Sequence, residues 1–429
     1  MHPKLPNKPA LRAAGLVLSG ALLLPGSFVR ADVASTVHNL LPAESGDVEN
    51  SGPVGLCPVC HAPKGLGQTT ALWSPKTPTT VYDLPGTATS EAAPGRPTGA
   101  SRACLSCHDG TVALAVLPAL GPDPNGALVL ESDLSDDHPL SFVFAEAHAG
   151  PARELRAPAT LEGPVKLDAA GQVQCTSCHD PHKDQFPDFL VMSNEKSALC
   201  VTCHELGHWQ SSSHGSSDAV WSGRGDDPWP ETGLKTVEAN GCRSCHDPHA
   251  AAHPTRLLAR ASEQKLCLAC HSGEVAPAVL QAQSEGGSVH PGLHVGSENL
   301  ERPVSCGDCH DPHAGSVVPD ATAADALCSQ CHARKRLFEA LPSLHAKHVE
   351  GAGAACAACH APHRSESSTH LIHFMRVDAA GAEVARPLES GGRLEFVDLG
   401  ESRGECYLSC HGVAHEPARY GEAHVGDGE

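Results

Sequence analysis

Ten times along these 429 residues a spaced pair of cysteines is followed at once by a histidine, and all 20 cysteines are used in this way. Nine copies read C-x-x-C-H: Cys57/Cys60/His61, Cys104/Cys107/His108, Cys175/Cys178/His179, Cys200/Cys203/His204, Cys242/Cys245/His246, Cys267/Cys270/His271, Cys306/Cys309/His310, Cys328/Cys331/His332 and Cys356/Cys359/His360. The tenth is wider by one residue, Cys406-Tyr407-Leu408-Ser409-Cys410-His411. C-x-x-C-H is the attachment signature of c-type haem. Its two thiols form thioethers with the vinyl groups, and the short turn delivers the next imidazole to one face of the iron. The motifs therefore predict ten covalently attached haem c groups, with His61, His108, His179, His204, His246, His271, His310, His332, His360 and His411 as proximal ligands.

Other uses of paired cysteines fit less well. A disulfide framework gives no reason for a histidine after every pair. Structural zinc sites combine two C-x-x-C pairs or add a spaced histidine arm, and a thioredoxin-like centre is one motif in a βαβ setting. At Cys406 the competing reading is a disulfide or a thiol pair beside a histidine without haem.

Residues 1–31 read as a secretory signal peptide. Lys4, Lys8 and Arg12 open it, Ala13 to Pro25 is apolar, and Val29-Arg30-Ala31 precedes Asp32 as an A-x-A-like cleavage site. No stretch reaches the roughly 20 apolar residues of a membrane span, so the expectation is an exported chain, periplasmic or extracellular. Aromatic residues are only 3% of the sequence, while Gly (41) and Pro (35) are abundant. An ordinary domain of this length builds its core from more large side chains. The fold class expected is therefore mostly irregular with small α elements and little regular secondary structure, its core made of stacked haems. Candidate helices are Ser193–His204, Ala261–His271 and Thr322–His332. The formal charge of −20 argues against nucleic acid or anionic lipid as a partner. It favours redox partner proteins with basic surfaces, or metal cations.

The motifs come in pairs. First cysteines at 175 and 200, and at 242 and 267, are 25 residues apart; those at 306 and 328 are 22 apart. The first member of each of these pairs ends C-H-D-P-H, which places His182, His249 and His313 three residues beyond the proximal histidine. His360-Ala361-Pro362-His363 is a fourth version. Five haem-pair repeats follow, in segments 32–150, 151–230, 231–300, 301–350 and 351–429. Of three methionines one is the initiator, so Met192 and Met375 are the only candidates for the Met/His ligation that raises haem potential. Of 29 histidines, ten are proximal and His2 is in the leader, leaving 18 for the sixth positions. Bis-histidine ligation at low potential is expected. Each tail histidine (His182, His249, His313, His363) is expected to reach the partner haem of its own pair, with a capping or surface role as the alternative.

The chain resembles the exported multihaem cytochromes with doubled C-x-x-C-H motifs found in metal-respiring and related bacteria. The resemblance rests on Val37-His38-Asn39-Leu40; on Cys104-Leu105-Ser106-Cys107-His108-Asp109-Gly110-Thr111; and on Asp137-His138-Pro139-Leu140. It extends through Ser213-His214, Asn240-Gly241-Cys242, Val289-His290-Pro291, Leu344-His345-Ala346-Lys347-His348-Val349, His370-Leu371-Ile372 and Gly404-Glu405-Cys406. It implies haem attachment at the widened motif, electron transport in the periplasm or beyond the outer membrane, and distal ligation by His38, His138, His214, His290, His345 and His370. The runners-up are His148, His294, His348 and His373. His208, His253, His415 and His424 read as surface residues or partners of propionates. One departure stands out: Lys64 occupies the place where the first motif would carry its tail histidine. The Cys104/Cys107 haem is left to His138, to Lys64, or to an open sixth position.

Two functional classes follow. One is a non-catalytic electron carrier working alone, docked to an outer-membrane conduit, or self-assembled into a filament. The other is a multihaem oxidoreductase with one open-site haem reducing a small oxyanion. An enzyme needs an open iron with donors arranged beside it, and no such constellation stands out around any motif.

Overall fold

The computed structural model describes residues 33–40, 57–62, 72–73, 78–85, 96–111, 129–145, 154–279, 288–290, 304–314, 321–332, 345–365, 369–374, 376, 384–388, 392–400, 403–410 and 412–420. Residues 1–32, Lys64, His148, His294, Met375, His411 and His424 lie outside them.

Through the motif region the chain is organised by single turns. Helix α1 (Cys57–Cys60), followed by the short pair β1 (His61–Ala62) and β2 (Leu72–Trp73), carries the first motif. Helix α2 (Gly99–His108) carries the second and α3 (Cys175–Cys178) the third. Helix α4 (Val237–Asn240) leads into a 3-10 turn at Cys242; α5 (Glu263–Leu268) and α6 (Ala321–Cys328) enter the motifs of Cys267 and Cys328. The remaining standard motifs are 3-10 turns: Cys200–Thr202, Cys306–Asp308 and Cys356–Ala358. In each turn the histidine N–H returns to the carbonyl of the first cysteine, at 2.9 Å for His179, His204, His246, His271, His310 and His332 and 3.0 Å for His360. That is the helical i→i−4 bond. It sets two thiols and one imidazole on a single turn.

The expected helices are shorter than the sequence suggests. Ala261–His271 contains α5, capped by the Ser262 hydroxyl accepting from the Lys265 N–H, and Thr322–His332 contains α6. Ser193–His204 forms no α-helix. Lys196 and Ser197 take left-handed backbone angles (φ 55° and 68°), which breaks the helix and turns the Ser197 hydroxyl to accept the Cys242 N–H at 2.8 Å. Gly241 stands beside that contact at φ +57°, and a Cβ there would collide with the Ser197 hydroxyl and backbone nitrogen. Docking one motif onto the next overrides helix propensity here.

Strands β3 (Ser288–Val289) and β4 (Arg364–Ser365) pair antiparallel. The C-terminal region departs from the expected irregular fold. Strands β5 (Ala385–Arg386), β6 (Glu395–Gly400), β7 (Arg403–Cys410) and β8 (Val413–Tyr420) form an antiparallel sheet centred on β7. β6 and β5 pair along one edge of β7 and β8 along the other. Phe396 stacks on Tyr420 at 5.9 Å between ring centres, and the Arg393 guanidinium lies 3.4 Å from the Tyr407 ring centre. Aromatic residues on three of the strands, Phe396 on β6, Tyr407 on β7 and Tyr420 on β8, are of the kind that favours a pleated sheet.

Among the described residues the buried apolar side chains are few and dispersed: Leu105, Leu134, Phe144 and Val165 in one region, Trp209, Trp229, Val237 and Leu258 in another, and Leu388, Phe396 and Leu408 in the sheet. No described helix is long and apolar enough to cross a membrane.

Candidate haem ligand pairs

The tail of the motif is a turn with a cause. In C-H-D-P-H the aspartate side chain accepts the N–H of the last histidine: Asp180 from His182 at 3.0 Å, Asp247 from His249 at 3.2 Å and Asp311 from His313 at 2.9 Å. These are Asx turns, and the proline between them fixes the approach. The turn carries the tail imidazole away from its own motif.

The imidazoles face each other in twos. His61 faces His182 with ring centres 6.1 Å apart, His108 faces His38 at 6.3 Å, and His179 faces His249 at 6.1 Å. His204 faces His138 at 6.3 Å, His246 faces His313 at 6.1 Å, and His271 faces His214 at 6.1 Å. His310 faces His363 at 5.6 Å, His332 faces His290 at 6.0 Å, and His360 faces His345 at 6.3 Å. Every proximal histidine of the nine standard motifs thus has one opposite number. Two metal–imidazole bonds of about 2 Å, with each ring centre about 1 Å behind its nitrogen, hold ring centres about 6 Å apart. The residues therefore fit a six-coordinate iron between them. Ordinary contacts of stacked rings do not call for nine repeats of that spacing.

The imidazoles come together in a different order from the one expected. Each tail histidine reaches back to the first motif of the preceding pair, and not to the partner within its own pair: His182 to His61, His249 to His179, His313 to His246 and His363 to His310. The second motif of each pair takes its histidine from the segment upstream of that pair: His38 for His108, His138 for His204, His214 for His271 and His290 for His332. It is His38, and not His138, that faces His108 of the Cys104/Cys107 motif. Between His345 and His348, it is His345 that faces His360.

Ring orientation divides the sites in two. At the first motif of each pair the imidazole planes are near-parallel, 16–38° apart, in His61/His182, His179/His249, His246/His313, His310/His363 and His360/His345. At the second motifs they are near-perpendicular, 74–89°, in His108/His38, His204/His138, His271/His214 and His332/His290. The two orientations alternate along the chain.

Neighbouring groups hold the rings. Nδ1 of His179 donates to the Asp188 carbonyl at 2.7 Å, that of His246 to the Arg256 carbonyl at 2.8 Å, and that of His360 to the His370 carbonyl at 2.9 Å. Such bonds leave Nε2 as the coordinating atom. The carbonyls belong to a repeated clip. Asp180, Asp247 and Ala361 donate backbone N–H to Phe189, Leu257 and Leu371, whose φ values are 52–58°. Val191, Ala259 and His373 in turn donate to the carbonyls of Cys178, Cys245 and Cys359. The clip was missed in the sequence, where Asp188-Phe189-Leu190, Arg256-Leu257-Leu258 and His370-Leu371-Ile372 share only a hydrophobic ending. His370 holds the position of Asp188 and Arg256, so its backbone carbonyl serves the site while its ring is 68% exposed, 3.5 Å from Asp398. That differs from its expected part as a distal ligand; a pairing with His411 lies outside the described residues. On the distal side, Nδ1 of His138 donates to the Pro139 carbonyl, Nδ1 of His214 to the Pro312 carbonyl, and Nδ1 of His249 to the buried Asp137 carboxylate at 2.9 Å. Burial lowers the affinity of His204 for a proton to a pKa of about 4, with His138 and His246 adding to the effect. A neutral imidazole is the form that binds a metal.

The cysteines connect the sites. None of the twenty is joined in a disulfide. Within pairs, burial and then the neighbouring thiol push Cys178, Cys245 and Cys359 up to about 11, the neighbours being Cys203, Cys270 and Cys410. Cys60 is raised in the same way beside Cys107, and Cys309 by burial, Asp308 and the thiols of Cys328 and Cys331. Between pairs, first cysteines touch. The Cys104, Cys200 and Cys267 thiols donate to Cys175, Cys242 and Cys306, which raises each donor and lowers each acceptor. Cys328 and Cys356 adjoin likewise. Each motif thus lies close enough to the one before it and the one after it for their thiols to perturb one another.

The sequence model of the doubled CXXCH motif family matches residues 168–207, 235–276 and 301–337. These segments contain the motif pairs of Cys175 and Cys200, Cys242 and Cys267, and Cys306 and Cys328. No curated protein and no solved structure matches the chain. The doubled motifs are consistent with a multihaem c-type cytochrome and indicate covalently bound haem at six sites in the matched segments.

Proposed function

We propose that this chain is a decahaem c-type cytochrome that passes electrons between protein partners along a single file of low-potential bis-histidine haems. The observation that carries the reading is the set of nine imidazole pairs at 5.6–6.3 Å, one for each standard motif. The contacts between successive thiols support a spatial order that follows the sequence, from Cys57/Cys60 to Cys406/Cys410. When bound, each haem supplies a one-electron Fe(III)/Fe(II) couple. The protein would fix that couple by its ligands: paired histidines keep the iron six-coordinate in both states, and histidine in place of methionine as second ligand keeps the potential low. Nδ1 bonds to carbonyls and a carboxylate hold the rings of His138, His179, His214, His246, His249 and His360 so that little need move there when an electron arrives.

Ligand sharing also explains how the file holds together. A tail histidine from one pair clamps the first haem of the pair before it, so removal of one repeat would open a site in its neighbour. The sparse apolar core of the described residues agrees with porphyrins serving as the interior. The N-terminal leader pattern suits export, and the acidic surface suits basic redox partners, an outer-membrane conduit, or self-assembly end to end. The test is a spectroelectrochemical titration of the purified holoprotein with haem counted by mass. Ten haems titrating at low potential, with no binding of carbon monoxide to the reduced form, support the reading. A carbon monoxide-reactive haem that turns over nitrite or another small oxyanion would replace it with an enzyme.

A further inference from the structure

We propose that Phe189 is a positioning residue for the sixth ligand of the Cys104/Cys107 haem: its ring holds the His38 imidazole in place across from His108. The inference rests on the bis-histidine reading and goes beyond it, because Phe189 belongs to the repeat of a different haem.

The linker histidines of the later repeats are anchored to the tail of the pair that follows them. The His138 N–H donates to the Pro248 carbonyl at 2.8 Å, Nδ1 of His214 to the Pro312 carbonyl at 3.1 Å, and the His290 N–H to the His363 carbonyl at 3.4 Å. Each of these bonds ties a distal ligand to the turn that carries the next tail histidine. For His38 the corresponding turn is His179 to His182, and neither donor of His38 goes there. Its N–H donates to the Thr36 hydroxyl at 3.2 Å, and its Nδ1 is buried without a hydrogen-bond partner. A ligating imidazole ordinarily donates its second nitrogen to an acceptor, and that bond orients the ring. His38 needs another support.

The support is an aromatic ring. Phe189 lies against His38 with ring centres 4.5 Å apart and planes tilted by 55°, an arrangement that aromatic rings favour. Phe189 comes from the clip of the Cys175/Cys178 motif. There its carbonyl accepts the Asp180 N–H at 2.8 Å, and the Asp188 carbonyl beside it accepts from Nδ1 of His179. The left-handed backbone at Phe189 belongs to the clip, since Leu257 and Leu371 hold the same place in the other two clips with φ of 52° and 58°. The aromatic side chain does not belong to it, because leucine serves there equally well. What the ring adds is the contact with His38, a ligand of the preceding pair. That contact bears on the haem through ring orientation, for the planes of His38 and His108 cross at 74°. Each imidazole donates π density to one iron d orbital. Crossed rings feed two orbitals and parallel rings feed one, so the angle is written in the ferric spectrum.

The experiment compares Phe189→Leu, Phe189→Tyr and His38→Ala in the full holoprotein, by intact mass and by electron paramagnetic resonance of the oxidised form. Phe189→Leu installs the residue that the other two clips already accommodate. It should keep ten haems and the rhombic population, and lose about one quarter of the highly anisotropic signal, the share of one near-perpendicular pair in four. Phe189→Tyr keeps the ring and should keep the wild-type spectrum. His38→Ala should remove the same quarter and leave one haem high-spin; adding Phe189→Leu to it should remove no more. A Phe189→Leu spectrum identical to wild type at full haem content overturns the proposal. So does a loss confined to the rhombic population, which would restrict Phe189 to the His179 site, and so does loss of haem in both Phe189 variants, which would make it a folding residue alone. Each of those results leaves the bis-histidine reading standing. A wild type with no highly anisotropic population overturns the proposal and counts against that reading as well.

Discussion

Asp137 is the most exposed test of how this protein sets a potential. Its carboxylate is almost fully buried and accepts the Nδ1 hydrogen of His249 at 2.9 Å. His249 in turn faces His179. A buried carboxylate behind the ligand stabilises the more positive, ferric iron and so depresses the potential. Asp137→Asn keeps the shape and an acceptor oxygen but removes the charge. A hydrogen bond to a charged group contributes about 1.5–3 kcal/mol and a neutral one about 0.5–1.5 kcal/mol, so the substitution removes about 1–1.5 kcal/mol of preference for the ferric state. With a tenfold change in a one-electron equilibrium equal to about 59 mV, the potential of this haem should rise by about 40–60 mV. The assay is an equilibrium redox titration of wild type and variant, with haem content verified by mass. One component of the titration should move upward and the rest stay in place. An unchanged titration at full haem content would refute the claim that the Asp137 carboxylate acts on the iron through His249.

Three further outcomes follow. His182→Ala should open the haem of Cys57/Cys60 and not that of Cys200/Cys203; its high-spin signal should vanish when Cys57 and Cys60 are also replaced by alanine, and persistence in that triple variant would restore ligand sharing within the pair. Gly241→Ala places a Cβ against Ser197 at a left-handed backbone position and should destabilise the fold by about 1–3 kcal/mol, read as an earlier midpoint in denaturant; an unchanged midpoint would remove the reason given for this glycine. Burial alone would raise the Asp109 pKa, but bonds from Thr111, Tyr82 and Thr80 outweigh it and hold the pKa below the usual carboxylate value. Its contribution to stability is present above the ordinary range near pH 4 and is lost as pH falls through the lower folded value; in Asp109→Asn the acid limb of the stability profile should be shallower, and an identical limb would count against it.

The motif count and the histidine census were legible because covalent chemistry writes them directly into the sequence. Nine histidines expected as distal ligands, His38, His138, His182, His214, His249, His290, His313, His345 and His363, each stand opposite a motif histidine. Which histidine serves which motif was not legible. A tail histidine leaves its turn in a direction set by an Asx turn and a proline, and only the packing of successive repeats shows that this direction is backward along the chain. At His370 the group that holds the His360 ring is the backbone carbonyl, which any residue can supply, so no side-chain pattern announces it. The broken helix at Lys196 and Ser197 records a docking contact with Cys242, 45 residues away, that local propensity does not contain. The C-terminal sheet was hidden for a different reason: the widened motif drew attention to its cysteines, and the alternation through Cys406, Leu408 and Cys410 that makes it a strand went unread.

The central claim is that every haem is held between two histidines, in a file whose imidazole orientations alternate. Low-temperature electron paramagnetic resonance of the oxidised holoprotein tests it most directly, because spin state reports the sixth ligand and anisotropy reports the angle between the two rings. The account predicts ten haems by mass, all low-spin, in two populations: a highly anisotropic one from the four near-perpendicular pairs, and a rhombic one from the rest. A substantial high-spin signal in the wild-type protein, or a single uniform low-spin population, would contradict it.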